Sequence, residues 1–168
     1  MVSIIRPWEF SDAAALARAI NNPRVQDNLR DGLPFPYTEN DAREFISAML
    51  GADKGCVFAF AITLNGECVG SISVTRGGNI HRRTAELGYY VAEPCWGMGL
   101  ATAAVREICS YVFENSDILR IYAEPFSENA ASRRVLEKAG FAHEGTLRSN
   151  AVKNGAVRDM EMYALLRE

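Results

Sequence analysis

Residues 93–105 read EPCWGMGLATAAV, with two glycines one residue apart at the mouth of a run that has helical spacing. Inside a helix each glycine costs roughly 0.5–1 kcal/mol relative to alanine, so the pair marks a junction. Upstream, AELGYYVA (85–92) reads as a strand, and Pro94, which lacks a backbone donor, ends regular pairing after it. Downstream, Ala101, Val105, Ile108, Cys109 and Val112 fall on one helical side. A strand that passes through a glycine loop into a helix presents unpaired N–H groups and the positive end of the helix dipole. That arrangement suits a phosphate or pyrophosphate, which could reach the backbone at Gly97 and Gly99 without meeting a Cβ. The loop is not a Walker A sequence, since no Gly-Lys-Ser/Thr follows, and not GxGxxG, since Thr102 stands where the third glycine would. Taken alone, it fits a plain strand-to-helix turn equally well.

The flanking sequence supplies the other elements. Ser11 is placed to cap a helix bearing Ala13, Leu16, Ala17 and Ile20. Thr38 and Asp41 have the spacing of a capping box ahead of the stripe Ala42, Phe45, Ile46, Met49 and Leu50. RDGLPFPYT (30–38), between these helices, reads as a loop. CVFAFAITL (56–64) and CVGSISV (68–74), joined at Asn65-Gly66, predict a hairpin. LRIYAE (119–124) predicts a buried strand, and Ser132, Val135, Leu136 and Ala139 a helix closed by Gly140 at C′. Two strands around Lys153-Asn154-Gly155 end the chain, the last being MEMYALL (160–166). The order β-α-α-β-β-β-α-β-α-β-β predicts one mixed α/β domain over residues 1–168, in which strand–helix–strand units follow an antiparallel start.

Composition narrows the function. The 168 residues are 48% hydrophobic and 23% charged, the make-up of a globular chain. A net charge of −3 gives no basic field for nucleic acid. No stretch approaches the ~20 apolar residues of a membrane span, and Arg6 and Pro7 interrupt any signal-peptide core, so a cytoplasmic protein is expected. Cys56, Cys68, Cys95 and Cys109 lack CxxC spacing and only His81 and His143 could assist them, so free thiols and no metal are expected.

ELGYYVAEPCWGMGLATAAV, followed after a strand by ENAASRRVLEKAGFAHEG, resembles the GNAT superfamily of acetyltransferases, in particular its branch of ribosomal-protein N-terminal acetyltransferases. The resemblance covers the full element order, with its specific motifs in roughly residues 85–147. It implies a mostly antiparallel central sheet flanked by helices, with acetyl-coenzyme A in the opening between splayed strands 85–92 and 119–124. It also implies that the backbone at Val91 meets the pantetheine arm, that amides of Gly97, Met98, Gly99, Leu100, Ala101 and Thr102 hold the pyrophosphate, and that Asn129 binds the cofactor arm. The superfamily loop usually begins with Gln or Arg where this chain has Pro94, a loss that backbone contacts tolerate.

Acetyl transfer to an amine needs a neutral nitrogen, an oxyanion stabiliser and a proton for the departing thiolate. The superfamily's acid tyrosine is replaced here by Leu136, whereas Asn129 and Ser132 match the branch's Asn-x-x-Ser, which makes Ser132 the candidate acid. Asn129 also suits an N-cap, and Ser132 a small interior position. A glutamate of ribosomal-protein acetyltransferases is matched by Ala151, which leaves Glu86 as the candidate base, with a structural salt bridge as its other role. Arg133 and Arg134 are candidate partners for coenzyme A phosphates. Residues 30–37 with Phe35 and Tyr37, the 76–84 loop, the turn at Asn154, and Trp96 and Tyr90 are candidate walls for an acceptor amine. The resulting expectation is an N-acetyltransferase acting by direct transfer to a primary amine, such as a protein N-terminus or a small molecule, in a possible homodimer. The alternative from another class is a non-enzymatic coenzyme A-binding sensor or interaction module.

Overall fold

The computed structural model describes residues 3–168. Strand β1 (Ile5–Arg6) leads through a 3-10 turn into α1 (Ala13–Ile20), then α2 (Pro23–Gln26) and α3 (Glu39–Gly51). A meander follows of β2 (Val57–Leu64), β3 (Glu67–Arg76) and β4 (Thr84–Val91). Next come α4 (Leu100–Asn115), β5 (Arg120–Ala123), α5 (Ala130–Lys138), β6 (Ala142–Lys153) and β7 (Ala156–Leu166). The strands form one seven-stranded sheet in the order β1-β2-β3-β4-β5-β7-β6. All neighbours are antiparallel except β4 and β5.

Local chemistry explains most boundaries. Asn65-Gly66 and Asn154-Gly155 all have positive φ, the geometry of a tight hairpin turn. Thr38 Oγ1 accepts from Asp41 N–H at 3.1 Å while Asp41 Oδ2 accepts from Thr38 N–H at 2.7 Å, closing the capping box of α3. Gly140, at φ +95°, follows α5 as a C′ residue. Ser11 does not cap α1. It lies inside the 3-10 turn, and the neighbouring Asp12, 5% exposed, accepts from Glu9 N–H and pairs with Arg6 at 2.7 Å instead. A buried carboxylate with a guanidinium partner holds this turn more firmly than an exposed serine. The short α2 follows Asn22, whose side chain accepts from Arg24 N–H.

The sheet is covered on both faces. Ile72, Val74, Leu87, Val105, Ile108 and Leu136 belong to the core between the sheet and α4 and α5. Trp8, Leu16, Ile20, Ala42, Ile46 and Ala61 form the core under α1 and α3. Adjacent residues Ala61 and Ile62 go to different cores, as strand alternation requires. Among the described residues no helix is long and apolar enough to cross a membrane.

The sheet parts in its middle. β4 and β5 pair only at Thr84↔Arg120, Ala85↔Ile121 and Glu86↔Tyr122. Gly77 N–H donates to Thr84 C=O and Ala92 N–H to Val69 C=O. By antiparallel alternation, even-numbered residues 84 to 92 therefore turn their backbone groups to β3, and Leu87, Tyr89 and Val91 turn theirs into the gap.

Candidate active site

A cleft of about 890 Å³ opens where β4 and β5 part, and its lining comes from both sheet faces. On the α4 side lies the glycine loop. Gly97 and Gly99 both have φ of +78°, a left-handed conformation that side chains adopt only under strain. A Cβ at either position would meet nothing within 4 Å, so conformation is what demands glycine there, and the space beside the loop is open. The first helical bond of α4 runs from Ala103 N–H to Gly99 C=O, and among the described residues the amides of 97 to 102 have no backbone acceptor. Six N–H groups at a helix N-terminus suit a phosphate. Trp96 fixes the start of the loop by donating from Nε1 to Val91 C=O at 2.7 Å, so Val91 offers the gap its N–H. Gly97, Gly99, Leu100, Ala101 and Thr102 line the cleft, whereas the Met98 side chain is exposed.

The start of α5 borders the same side. Asn129 is its N-cap, Oδ1 accepting from Ser132 N–H at 3.2 Å, and Asn129 and Ser132 both line the cleft. Ser132 Oγ lies 2.6 Å from the Tyr89 hydroxyl, and burial pushes that phenol up to about 12. Arg133 turns away from the cleft to Tyr163, the Ser127 carbonyl and the buried Glu161, so it is structural and not a phosphate ligand. Arg134 does line the cleft.

The opposite face carries carboxylates. Glu86 is the last residue of β4 to pair with β5, and Glu124 lies just past β5. Arg30, from the segment after α2, places one guanidinium nitrogen 2.7 Å from Glu86 and 3.8 Å from Glu124. Burial first, then the Glu86 charge, holds the Glu124 carboxyl above the usual range, opposed by Arg30. Two contacts tie the tip of the β6–β7 hairpin to the Arg30 segment: Lys153, 8% exposed, pairs with Asp31 at 2.9 Å, and Asn154 donates to Asp27 at 3.2 Å. Tyr37 and Tyr90 line the main cleft, and Phe35 and Asn154 an adjoining cavity of about 280 Å³. The 76–84 loop lines neither, because β3 and β4 lead it to the paired end of the two strands. Tyr89 and Glu124 are residues that sequence reasoning did not single out, and Arg30 entered only as one end of the 30–37 wall. Strand alternation could have flagged Tyr89, but nothing local points to Glu124 or to the ion pairs of Arg30.

Comparison with known proteins decides the family. The sequence profile of the acetyltransferase (GNAT) domain matches residues 3–142. The chain belongs to the GNAT acetyltransferase family. This GNAT chain is 30% identical over 176 residues to YdaF of Bacillus subtilis (strain 168), provisionally named a ribosomal N-acetyltransferase, covering 97% of the chain and 90% of YdaF. It is 27% identical over 131 residues to the ribosomal-protein-serine acetyltransferase of Escherichia coli (strain K12), covering 77% and 73% respectively. Mycobacterium smegmatis RimJ, solved in complex with CoA-disulfide, superposes with a TM-score of 0.86 at 30% identity over 96% of this chain and 80% of RimJ. The GNAT protein is an acetyl-CoA-dependent N-acetyltransferase, an enzyme and not a bare coenzyme A-binding module.

Proposed function

We propose that this single-domain enzyme acetylates a primary amine, on a protein or peptide N-terminus or on a small cationic molecule, by direct attack on acetyl-CoA. One observation carries the reading: a single cleft has free amides and Ser132 on one face of the sheet and carboxylates on the other. The cofactor enters from the α4 side. The amides of Gly97, Met98, Gly99, Leu100, Ala101 and Thr102 receive its pyrophosphate, the Val91 N–H meets its pantetheine arm, and Asn129 steadies that arm. Coenzyme A supplies the activated thioester; the chain supplies position and protons.

The amine enters from the α3 side, where Glu86 takes its proton directly or through one water. Ser132 donates to the sulfur as the thioester breaks. A second assignment of the base is favoured by Glu124, whose carboxyl is held above the usual range by burial and whose contact with Arg30 is the looser, 3.8 Å against 2.7 Å for Glu86. The relative named a ribosomal-protein-serine acetyltransferase supports a protein acceptor, and Glu86 and Glu124 support a cationic amine.

Thiol release from acetyl-CoA, followed with a thiol-reactive dye, tests the reading across serine- and alanine-initiated peptides, polyamines, amino acids and aminoglycosides. Turnover above the acceptor-free rate with one class assigns the acceptor, and none across all classes refutes the acceptor side of the proposal.

A further inference from the structure

Ser132 is paired in the fold. The α5 position where the resemblance places a tyrosine is occupied by Leu136, which is fully buried, but a tyrosine reaches α5 from the strand instead. Tyr89 Oη sits 2.6 Å from Ser132 Oγ and 3.4 Å from the Ser132 carbonyl oxygen, 43 residues away along the chain. Its backbone faces the gap and its ring lines the cleft.

Two hydroxyls that share one hydrogen bond have one donor between them. With Ser132 as donor, its hydrogen is spent on Tyr89 and none remains for a leaving group. With Tyr89 as donor, the serine hydrogen is free to point elsewhere. Negative charge growing on a sulfur in the cleft selects the second arrangement, because a charge-assisted bond is roughly twice as strong as a neutral one. A donor behind Ser132 also polarises its O–H, as links in a hydrogen-bond chain do.

We propose that Tyr89 is the positioning residue for Ser132: its phenol donates to Ser132 Oγ and turns the serine hydrogen toward the sulfur of coenzyme A. This rests on the reading of Ser132 as the acid. As the C–N bond forms and the C–S bond breaks, the electron pair goes to sulfur. Ser132 passes its proton there and regains one from solvent, while the amine gives up one proton to its base. Tyr89 remains neutral throughout, consistent with its burial.

The test needs no acceptor. Coenzyme A with its free thiol is bound to the wild type, Tyr89→Phe, Ser132→Ala and the double variant. The bound thiol is titrated by thiolate absorbance as the difference between liganded and free protein. Loss of one hydrogen bond to the thiolate raises the thiol pKa by about one unit, a factor of about ten in its ionisation constant. Ser132→Ala is expected to show this full rise, Tyr89→Phe a smaller one because the serine loses only the donor behind it, and the double variant no more than Ser132→Ala, because Tyr89 acts through the serine. Fluorotyrosine at position 89, a stronger donor of nearly the same shape, is expected to lower the thiol pKa and keeps the test open should Tyr89→Phe melt early. An unchanged thiol in Tyr89→Phe or with fluorotyrosine overturns the inference, and so does a double variant that shifts by the sum of the singles. Failure of the wild type to bind coenzyme A at all overturns the cofactor reading, and this inference with it.

Discussion

The two rims of the cleft are built from different materials. The cofactor rim is backbone: two positive-φ glycines, six amides without backbone acceptors and one indole latch, all within residues 91–102. The acceptor rim is side chain: Arg30 to Glu86 across 56 residues, Lys153 to Asp31 across 122 and Asn154 to Asp27 across 127. A backbone cradle recognises charge and tolerates substitution of its exposed side chains. A rim of long-range side-chain contacts sets its preference by which side chains are present, and each is replaceable. Such a division keeps the donor constant while the acceptor changes.

Mutation can break that comparison. The largest effect is expected at the carboxylates. Glu86→Gln lowers kcat/KM for the amine roughly 100-fold or more if it is the base, and leaves coenzyme A affinity unchanged. Glu124→Gln showing the greater loss transfers the role to Glu124. On the other rim, Gly99→Val forces a β-branched residue to φ +78°, a strain of about 1–3 kcal/mol. It is expected to weaken coenzyme A binding by roughly 10- to 100-fold in calorimetry. Unchanged affinity would show that the rim does not depend on its backbone conformation.

Arg30→Ala sharpens the contrast on a smaller scale. Removing the guanidinium leaves two carboxylates without their cation, so a cationic acceptor is expected to bind a few-fold more tightly. Arg30 favours the ionised form of Glu124, so its loss raises that pKa further and, if Glu124 is the base, moves the acid limb of the kcat/KM profile to higher pH. A rise in KM instead would mean that Arg30 itself grips the acceptor.

The smallest effect lies away from both rims, at Glu161. It is 3% exposed, accepts from Ser127, Thr146 and His143 within 2.9 Å, and is held below the usual glutamate range, first by the Ser127 bond. A depressed folded pKa contributes stability above the ordinary value of 4.5 that disappears as pH falls through the depressed one. Glu161→Gln is expected to lower Tm by about 2–6 °C near neutral pH, with a smaller deficit in acid.

The same contrast explains what could be read from the sequence. Rules with a reach of a few residues place the capping box at Thr38, both Asn-Gly turns, the stop at Gly140 and the loop from Gly97 to Thr102. Ser11 misled because its competitor, Asp12, is stabilised by burial and by Arg6, which a cap rule does not weigh. The four-residue α2 is too short to show a period. On the acceptor rim both the 30–37 segment and the 76–84 loop were expected and only the first lines the cleft, since only the packed sheet decides which distant segment covers the open end of β4 and β5, and the pairing of Arg30 with Glu86 was not foreseen. Tyr89 and Ser132 belong to the same class of fact: each has a local reading, and their meeting is visible only in three dimensions.

The three-pair contact between β4 and β5 has a further consequence. A sheet normally completes its hydrogen bonds from its own strands, and here the Tyr89 backbone groups and the Val91 N–H are left to be completed by something else. A ligand that does so adds to the stability of the whole chain, by about 2.7 kcal/mol at a free concentration 100 times its dissociation constant. The unfolded fraction then falls by a factor of about one hundred, enough to change how often the chain is exposed to proteases. Occupying the cleft is thus also a way of keeping the chain folded, so that limited proteolysis of the purified protein is expected to slow when coenzyme A is added.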